Sequence, residues 1–229
     1  MKKMLIFAAI FVFGAVSMVS AQDLQGMFNI SPYVGIGIPM GDLADDDPEN
    51  ADGLYRSIGF KFGASAEYFF TPAIGAGLEF LYAIHGAKDF DGFEPGDKLH
   101  TMNIGAHFKY MFMPESMLRP YILAGVGLTM NKLKDLEFEV EEGVFVTGDL
   151  DLDTKMYFVG GFGVKYWVSE MISIFGEAGF DYLLLDGAGA EFDGEPVIDP
   201  DTGEEAELQT NYYFLDFKAG INVWFGGTE

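Results

Sequence analysis

The sequence predicts an all-β protein, an eight-stranded antiparallel up-and-down transmembrane β-barrel. Three observations predict it. Apolar residues alternate with small or polar ones at period two through eight segments, at about 27–38, 58–70, 73–85, 99–112, 120–132, 154–168, 171–184 and 210–225. Successive side chains of a strand point to opposite faces, so each segment carries one apolar and one polar face. Tight turns and long acidic loops join the segments in strict alternation. Each segment also reaches the roughly 9–11 residues that a tilted strand needs to cross a bilayer.

The chain opens with Lys2 and Lys3, an apolar run from Met4 to Val16, and Val19-Ser20-Ala21, which fits the small-residue cleavage rule. Residues 1–21 are therefore expected to be a cleaved export signal, and 22–229 a single barrel domain. No other segment approaches the roughly 18 apolar residues of a membrane helix, which excludes a helical membrane protein. There are no cysteines. That excludes a disulfide scaffold, a thiolate metal site, a cysteine nucleophile and a lipidated cleavage site.

The strands follow in order. In the second, Ile58, Phe60, Phe62, Ala64, Ala66 and Tyr68 share one parity, and Gly59, Lys61, Gly63, Ser65 and Glu67 the other. The third puts Ile74, Ala76, Leu78, Phe80, Tyr82 and Ile84 on its apolar face, and the fourth Met102, Ile104, Ala106, Phe108 and Tyr110. Ile122, Ala124, Val126, Leu128 and Met130 continue the set in the fifth, Met156, Phe158, Phe162, Val164 and Tyr166 in the sixth, and Tyr213, Leu215, Phe217, Ala219, Ile221, Val223 and Phe225 in the last. None of these positions is charged. A midplane Lys or Arg facing lipid costs about 2–4 kcal/mol, so the apolar face is read as the outer one. A soluble barrel of lipocalin type needs the reverse arrangement, apolar inside and polar outside.

The connections Thr71-Pro72, Met113 to Arg119 and Ser169-Glu170 are short; 39–57, 86–98, 133–153 and 185–209 are long. The long loops hold six, four, eight and nine acids in turn, 27 of the chain's 36. Short periplasmic turns and longer extracellular loops are the habit of outer-membrane barrels, and eight strands then leave both termini in the periplasm. In the third loop, Leu136 to Val140 and Val144 to Val146 are expected to extend the barrel as a hairpin. The formal charge of −23 argues against a nucleic-acid partner. Two aromatic girdles are expected. Tyr68, Phe69, Phe70, Tyr110, Phe112, Tyr121, Tyr166, Trp167, Trp224 and Phe225 lie by the short turns, and Tyr55, Tyr82, Tyr157, Phe158, Tyr182 and Tyr212 toward the loops.

Pro120-Tyr121-Ile122-Leu123-Ala124-Gly125-Val126-Gly127-Leu128 and Gly161-Phe162-Gly163-Val164-Lys165-Tyr166-Trp167 resemble the fifth and sixth strands of the OmpA/OmpX-like outer-membrane β-barrel family. The resemblance extends over about 27–225. It implies a monomer in the outer membrane of a diderm bacterium, inserted by the barrel assembly machinery through a last strand such as Tyr213 to Phe225. The expected neighbours are outer-membrane lipid and lipopolysaccharide.

The inward parity collects Lys61, Lys109, Lys165 and Lys218 against Glu67, Glu79, Glu177, Asp181 and Asp216, with His107 beside them. Eight strands leave an interior just wide enough for side chains. Two readings stay open: a structural plug of paired charges, or a narrow gated pore that opens by exchanging partners. Asp199, Asp201, Glu204 and Glu205 around Gly203 offer hard oxygen ligands, but not at EF-hand spacing, so calcium or magnesium is expected only loosely at the acidic loops. His85 and His107 are inward and His100 lies at a loop edge, with no serine at a catalytic spacing. Asp181 and Asp216 with His85 echo an omptin-like protease only faintly, so no enzyme is expected. The function expected is structural and surface-interacting.

Overall fold

The computed structural model describes residues 23–44, 56–88, 96–141, 144–198, 202–208 and 211–226. The expected export signal and Tyr55 fall outside them. Among the described residues eleven strands form in chain order: β1 (Phe28–Met40), β2 (Gly59–Phe69), β3 (Ile74–Gly86), β4 (Lys98–Met111), β5 (Leu118–Glu141), β6 (Val144–Trp167), β7 (Ile172–Leu183), β8 (Ala188–Phe192), β9 (Glu195–Pro196), β10 (Glu207–Leu208) and β11 (Tyr212–Phe225). Strands β1 to β6 each pair antiparallel with the next, β7 pairs with β11, and β11 pairs with β1. The sheet thus closes on itself, so its ladder carries no free edge around the ring.

The register preserves the facing that the period-two pattern dictates. Phe60 meets Ile84, Phe80 meets Ile104, and Ile104 meets Leu128 across three successive ladders. Leu78, Phe108 and Phe162 on this face are 67%, 69% and 66% exposed. A continuous exposed apolar wall of this size is stable only against lipid.

At one end the turns are tight. Phe70 N donates to Ile74 O at 3.0 Å and Val168 N to Ile172 O at 2.9 Å. The Thr71 hydroxyl accepts from the Ala73 and Ile74 amides at 3.3 and 3.0 Å. At the other end β5 and β6 run on as the expected hairpin, to Glu141 and from Val144. A bulge interrupts their ladder: Thr129 faces Lys155 and Asn131 faces Leu152, so Asp153 and Thr154 lie opposite Met130 alone. The fourth long loop is structured too. Its β8 adds to β6 through Leu150–Phe192 and Leu152–Ala190, and β9 and β10 each pair with β8. Ala188-Gly189-Ala190-Glu191-Phe192 was read as loop because so short a run amid glycine and acid carries no strand signal of its own.

Part of the expected girdles is corrected. Phe69, Tyr121, Trp167 and Trp224 are buried inside the barrel, whereas Tyr68, Phe70, Tyr110, Phe112 and Phe225 face outward. The Trp167 and Trp224 rings stack at 4.8 Å, Phe69 lies 5.5 Å from Trp224, and the Arg119 guanidinium sits 4.8 Å over Trp167. Leu24 and Met27 close this floor from the N-terminal segment, which is tied to β2 by Gly26 N→Phe69 O and Phe69 N→Met27 O, both 2.9 Å. Tyr157 and Tyr212 are likewise inside, near the loop end. Parity carries the physical reason. Trp167 is two residues from inward Lys165 and Trp224 two from inward Asn222, so a strand must turn them to the lumen.

Candidate functional site

The site is the lumen. The inward positions of β2, β3, β4, β6, β7 and β11 place all ten residues of the expected charge network there, and they gather into three nodes along the axis. Each node is one hub ion of one sign held by partners of the other.

Glu67 is the hub nearest the aromatic floor. It is 1% exposed. Lys109 donates to its Oε1 and Lys165 to its Oε2 at 2.8 Å; His107 Nε2 is 3.1 Å from Oε1, and Asn29 Nδ2 is 3.1 Å from Oε2. The two ammonium groups also face rings: Lys109 lies 4.5 Å from the Tyr121 centroid and Lys165 4.8 Å from that of Trp224. A chain of hydroxyls and amides runs beside this node. Ser31 Oγ donates to Asn222 Oδ1 at 2.7 Å, and Ser173 Oγ accepts from Asn222 Nδ2 and Trp224 Nε1, both at 2.9 Å.

Lys218 is the middle hub, 3.1 Å from Glu79 and 3.6 Å from Glu177. Tyr33 donates to Glu79 at 2.5 Å and Tyr121 to Glu177 at 2.9 Å, so Tyr121 touches both lower nodes. Lys61 is the upper hub, 3.1 Å from Asp181 and 2.5 Å from Asp216. Phe214 lies beneath its ammonium at 4.7 Å. Taken as formal charges, the lower node carries one excess positive charge, and the middle and upper nodes one excess negative charge each.

Glycines opposite these side chains make the fit. A Cβ at Gly37 would lie 2.3 Å from the Lys61 stem, and one at Gly63 would lie 2.5 Å from the Tyr33 hydroxyl. The void between Glu67, Glu79 and Lys218 is about 10 Å³, room for about one water. Toward the loops, buried Leu81, Leu99, Leu133, Leu152, Leu183 and Leu185 fill the interior. The barrel is therefore occupied from the aromatic floor, through paired charge, to an aliphatic cap. Leu81, Leu99 and Leu183 share the inward parity of strands legible in the sequence, whereas Leu133, Leu152 and Leu185 lie in segments expected to be loops.

One family described as outer membrane protein beta-barrel domain matches residues 9–223. The chain belongs to it. Solved outer-membrane barrels repeat the fold. Neisserial surface protein A is 15% identical over 88% of this chain and 98% of its own, at a TM-score of 0.51. The outer membrane protein OprG from Pseudomonas aeruginosa is 15% identical over 91% and 100%, at 0.58. Outer membrane protein AlkL, solved in lipid bilayers, is 14% identical over 92% and 96%, at 0.52. At these identities the likeness is one of fold. No curated protein matches this outer membrane barrel in sequence.

The remaining expected groups are scattered over the barrel. His85 is buried in the lumen, its ring 4.6 Å from Phe214, with Nδ1 3.2 Å from Ser57 O. His100 faces outward and its Nδ1 lies 2.5 Å from the Tyr82 hydroxyl. His107 belongs to the Glu67 node. The structure therefore does not bring the three histidines together. Glu204 and Glu205 are exposed beside Gly203, whose φ is +69°, while Asp199 and Asp201 lie outside the described residues. Among the described residues no three His, Asp or Glu side chains are grouped to hold a metal ion.

Beyond the membrane wall, Arg56 pairs with Asp97, and Lys88 donates to Ala44 O, tying the first and second long loops together. Their partners come from distant segments, so neither contact has a local signal in the sequence.

Proposed function

We propose that this chain is a non-enzymatic, monomeric outer-membrane barrel whose lumen is a structural plug and whose working surface is the acidic loop end. One observation carries the proposal: every lumen lysine and carboxylate sits in a hub, packed between an aromatic floor and an aliphatic cap. An interior filled in this way holds the wall together and leaves no standing path for solute. The scaffold then serves to present loops, which is where such folds carry their interactions.

In this proposal residues 1–21 are removed on export, the barrel assembly machinery inserts the mature chain, and both termini lie in the periplasm. The long loops face outward among lipopolysaccharide. Calcium or magnesium is held diffusely by acids spread over four loops. The narrow gated pore is the competing function. It requires the Lys218 or Lys61 hub to exchange partners far enough to clear the lumen.

Orientation is tested with single cysteines, since the native chain has none. Glu204→Cys on the fourth loop and Glu170→Cys in a short turn are both exposed positions. In intact cells a membrane-impermeant maleimide should label Glu204→Cys and not Glu170→Cys. The opposite pattern would reverse the barrel.

A further inference from the structure

Few cations of this acidic chain reach its outer wall. On the barrel strands Lys61, Lys109, Lys165, Lys218 and Arg119 are buried inside, and Lys155 points toward Gly187 O at 2.6 Å. Lys98, Lys132 and Lys134 are left, and all three face outward at one place on β4 and β5. The ladder sets Lys98 directly opposite Lys134, and His100 directly opposite Lys132. Like charges at such positions destabilise a sheet. Asp149 and Asp151 pair directly with Lys132, at 3.3 and 3.0 Å.

The cluster borders a groove of about 390 Å³. Tyr82, Met102 and Met130, cross-strand partners, line its lower part, and His100, Lys132 and Lys134 its upper part, with Asp151 beside Lys132. The groove lies where the β5–β6 bulge leaves two residues opposite Met130. Below it the wall continues through exposed Phe80, Ile104 and Leu128. Cations therefore stand at the upper edge of the apolar belt, over a slot that runs down into it. The Tyr82 hydroxyl and His100 Nδ1 are hydrogen-bonded at 2.5 Å, which fixes the ring at the rim of the groove.

We propose that this groove binds a phosphate-bearing glycolipid of the outer leaflet. The phosphate lies between Lys98, Lys134 and His100, and an acyl chain lies along Met102 and Met130. Such a ligand cancels the like-charge pair of Lys98 and Lys134 and matches the vertical order of charge above and apolar surface below. The inference rests on the proposed outward direction of the long-loop end.

The test is a titration of the purified mature barrel in detergent with lipid A carrying two phosphates and with dephosphorylated lipid A, read by native mass spectrometry. A lysine beside an anionic lipid surface contributes roughly fivefold in affinity, so K98Q/K134Q should weaken binding of the phosphorylated form roughly thirtyfold. The dephosphorylated form should bind both proteins alike, and K98R/K134R should bind as the native protein does. A fast-migrating SDS band certifies that each variant is folded. Equal binding of phosphorylated lipid A by the native and K98Q/K134Q proteins would overturn the site. So would phosphatidylglycerol binding with the same lysine dependence, since that marks a generic anionic surface. Neither result depends on orientation, which the cysteine labelling decides separately.

Discussion

Glu67→Gln should be among the most damaging single changes in the lumen, although it removes one charge and almost no volume. Coulomb's law at an effective dielectric of about 20 gives about 6 kcal/mol of gross attraction for the Lys165–Glu67 pair at 2.8 Å. Desolvation of both ions offsets most of that, so the intact pair is worth little net. Removing the hub is another matter. It leaves Lys109 and Lys165, 6% and 0% exposed, as unpaired buried cations. Breaking a buried pair in this way costs about 3–5 kcal/mol. Lys109→Met is the control. It leaves one lysine against one carboxylate, a balanced pair, and loses chiefly the contact with Tyr121, about 0.5–2 kcal/mol. Both variants should be refolded in detergent and titrated with urea, with the folded fraction read from gel mobility without boiling. The expected order is Glu67→Gln far less stable than Lys109→Met. Equal losses would refute the hub argument, because charge balance would then not govern the lumen.

The same logic applies to the middle node, where Lys218→Met should cost about 3–5 kcal/mol and Glu177→Gln much less, by the same urea titration. Gly127→Ala should destabilise by about 1–3 kcal/mol, because its Cβ would lie 2.3 Å from Ile104 O, whereas Gly160→Ala meets nothing within 4 Å and should be neutral or slightly stabilising. Trp167 and Trp224 stack inside the floor. Brominated lipids should therefore leave the fluorescence of the reconstituted barrel unquenched, and strong quenching would return both rings to a lipid-facing girdle.

The wall was legible because its two instructions are local. Period two fixes which side chains share a face, and a tight turn such as Thr71-Pro72 fixes which strands are neighbours. The hairpin around residues 136–146 announced itself by the same alternation. The ten lumen residues were found for the same reason, yet their grouping was not. Lys61 meets Asp181 and Asp216 across 120 and 155 positions of sequence, and that depends on register and barrel stagger. The tryptophans were misplaced by letting residue type outweigh parity: Trp likes a membrane interface, but Trp167 shares its face with Lys165. The bulge at Asp153-Thr154 left no mark at all, since it is defined only against Met130 on the partner strand. The outer groove went unseen with it.

The central claim is that the lumen is filled and holds the wall together. Conductance of the mature protein in planar lipid bilayers tests it most directly. The account predicts a flat baseline for the native chain, with openings appearing only when a hub such as Lys218 is replaced. Discrete, reproducible openings of the native chain that change size in Lys218→Met would contradict it and make the barrel a gated pore.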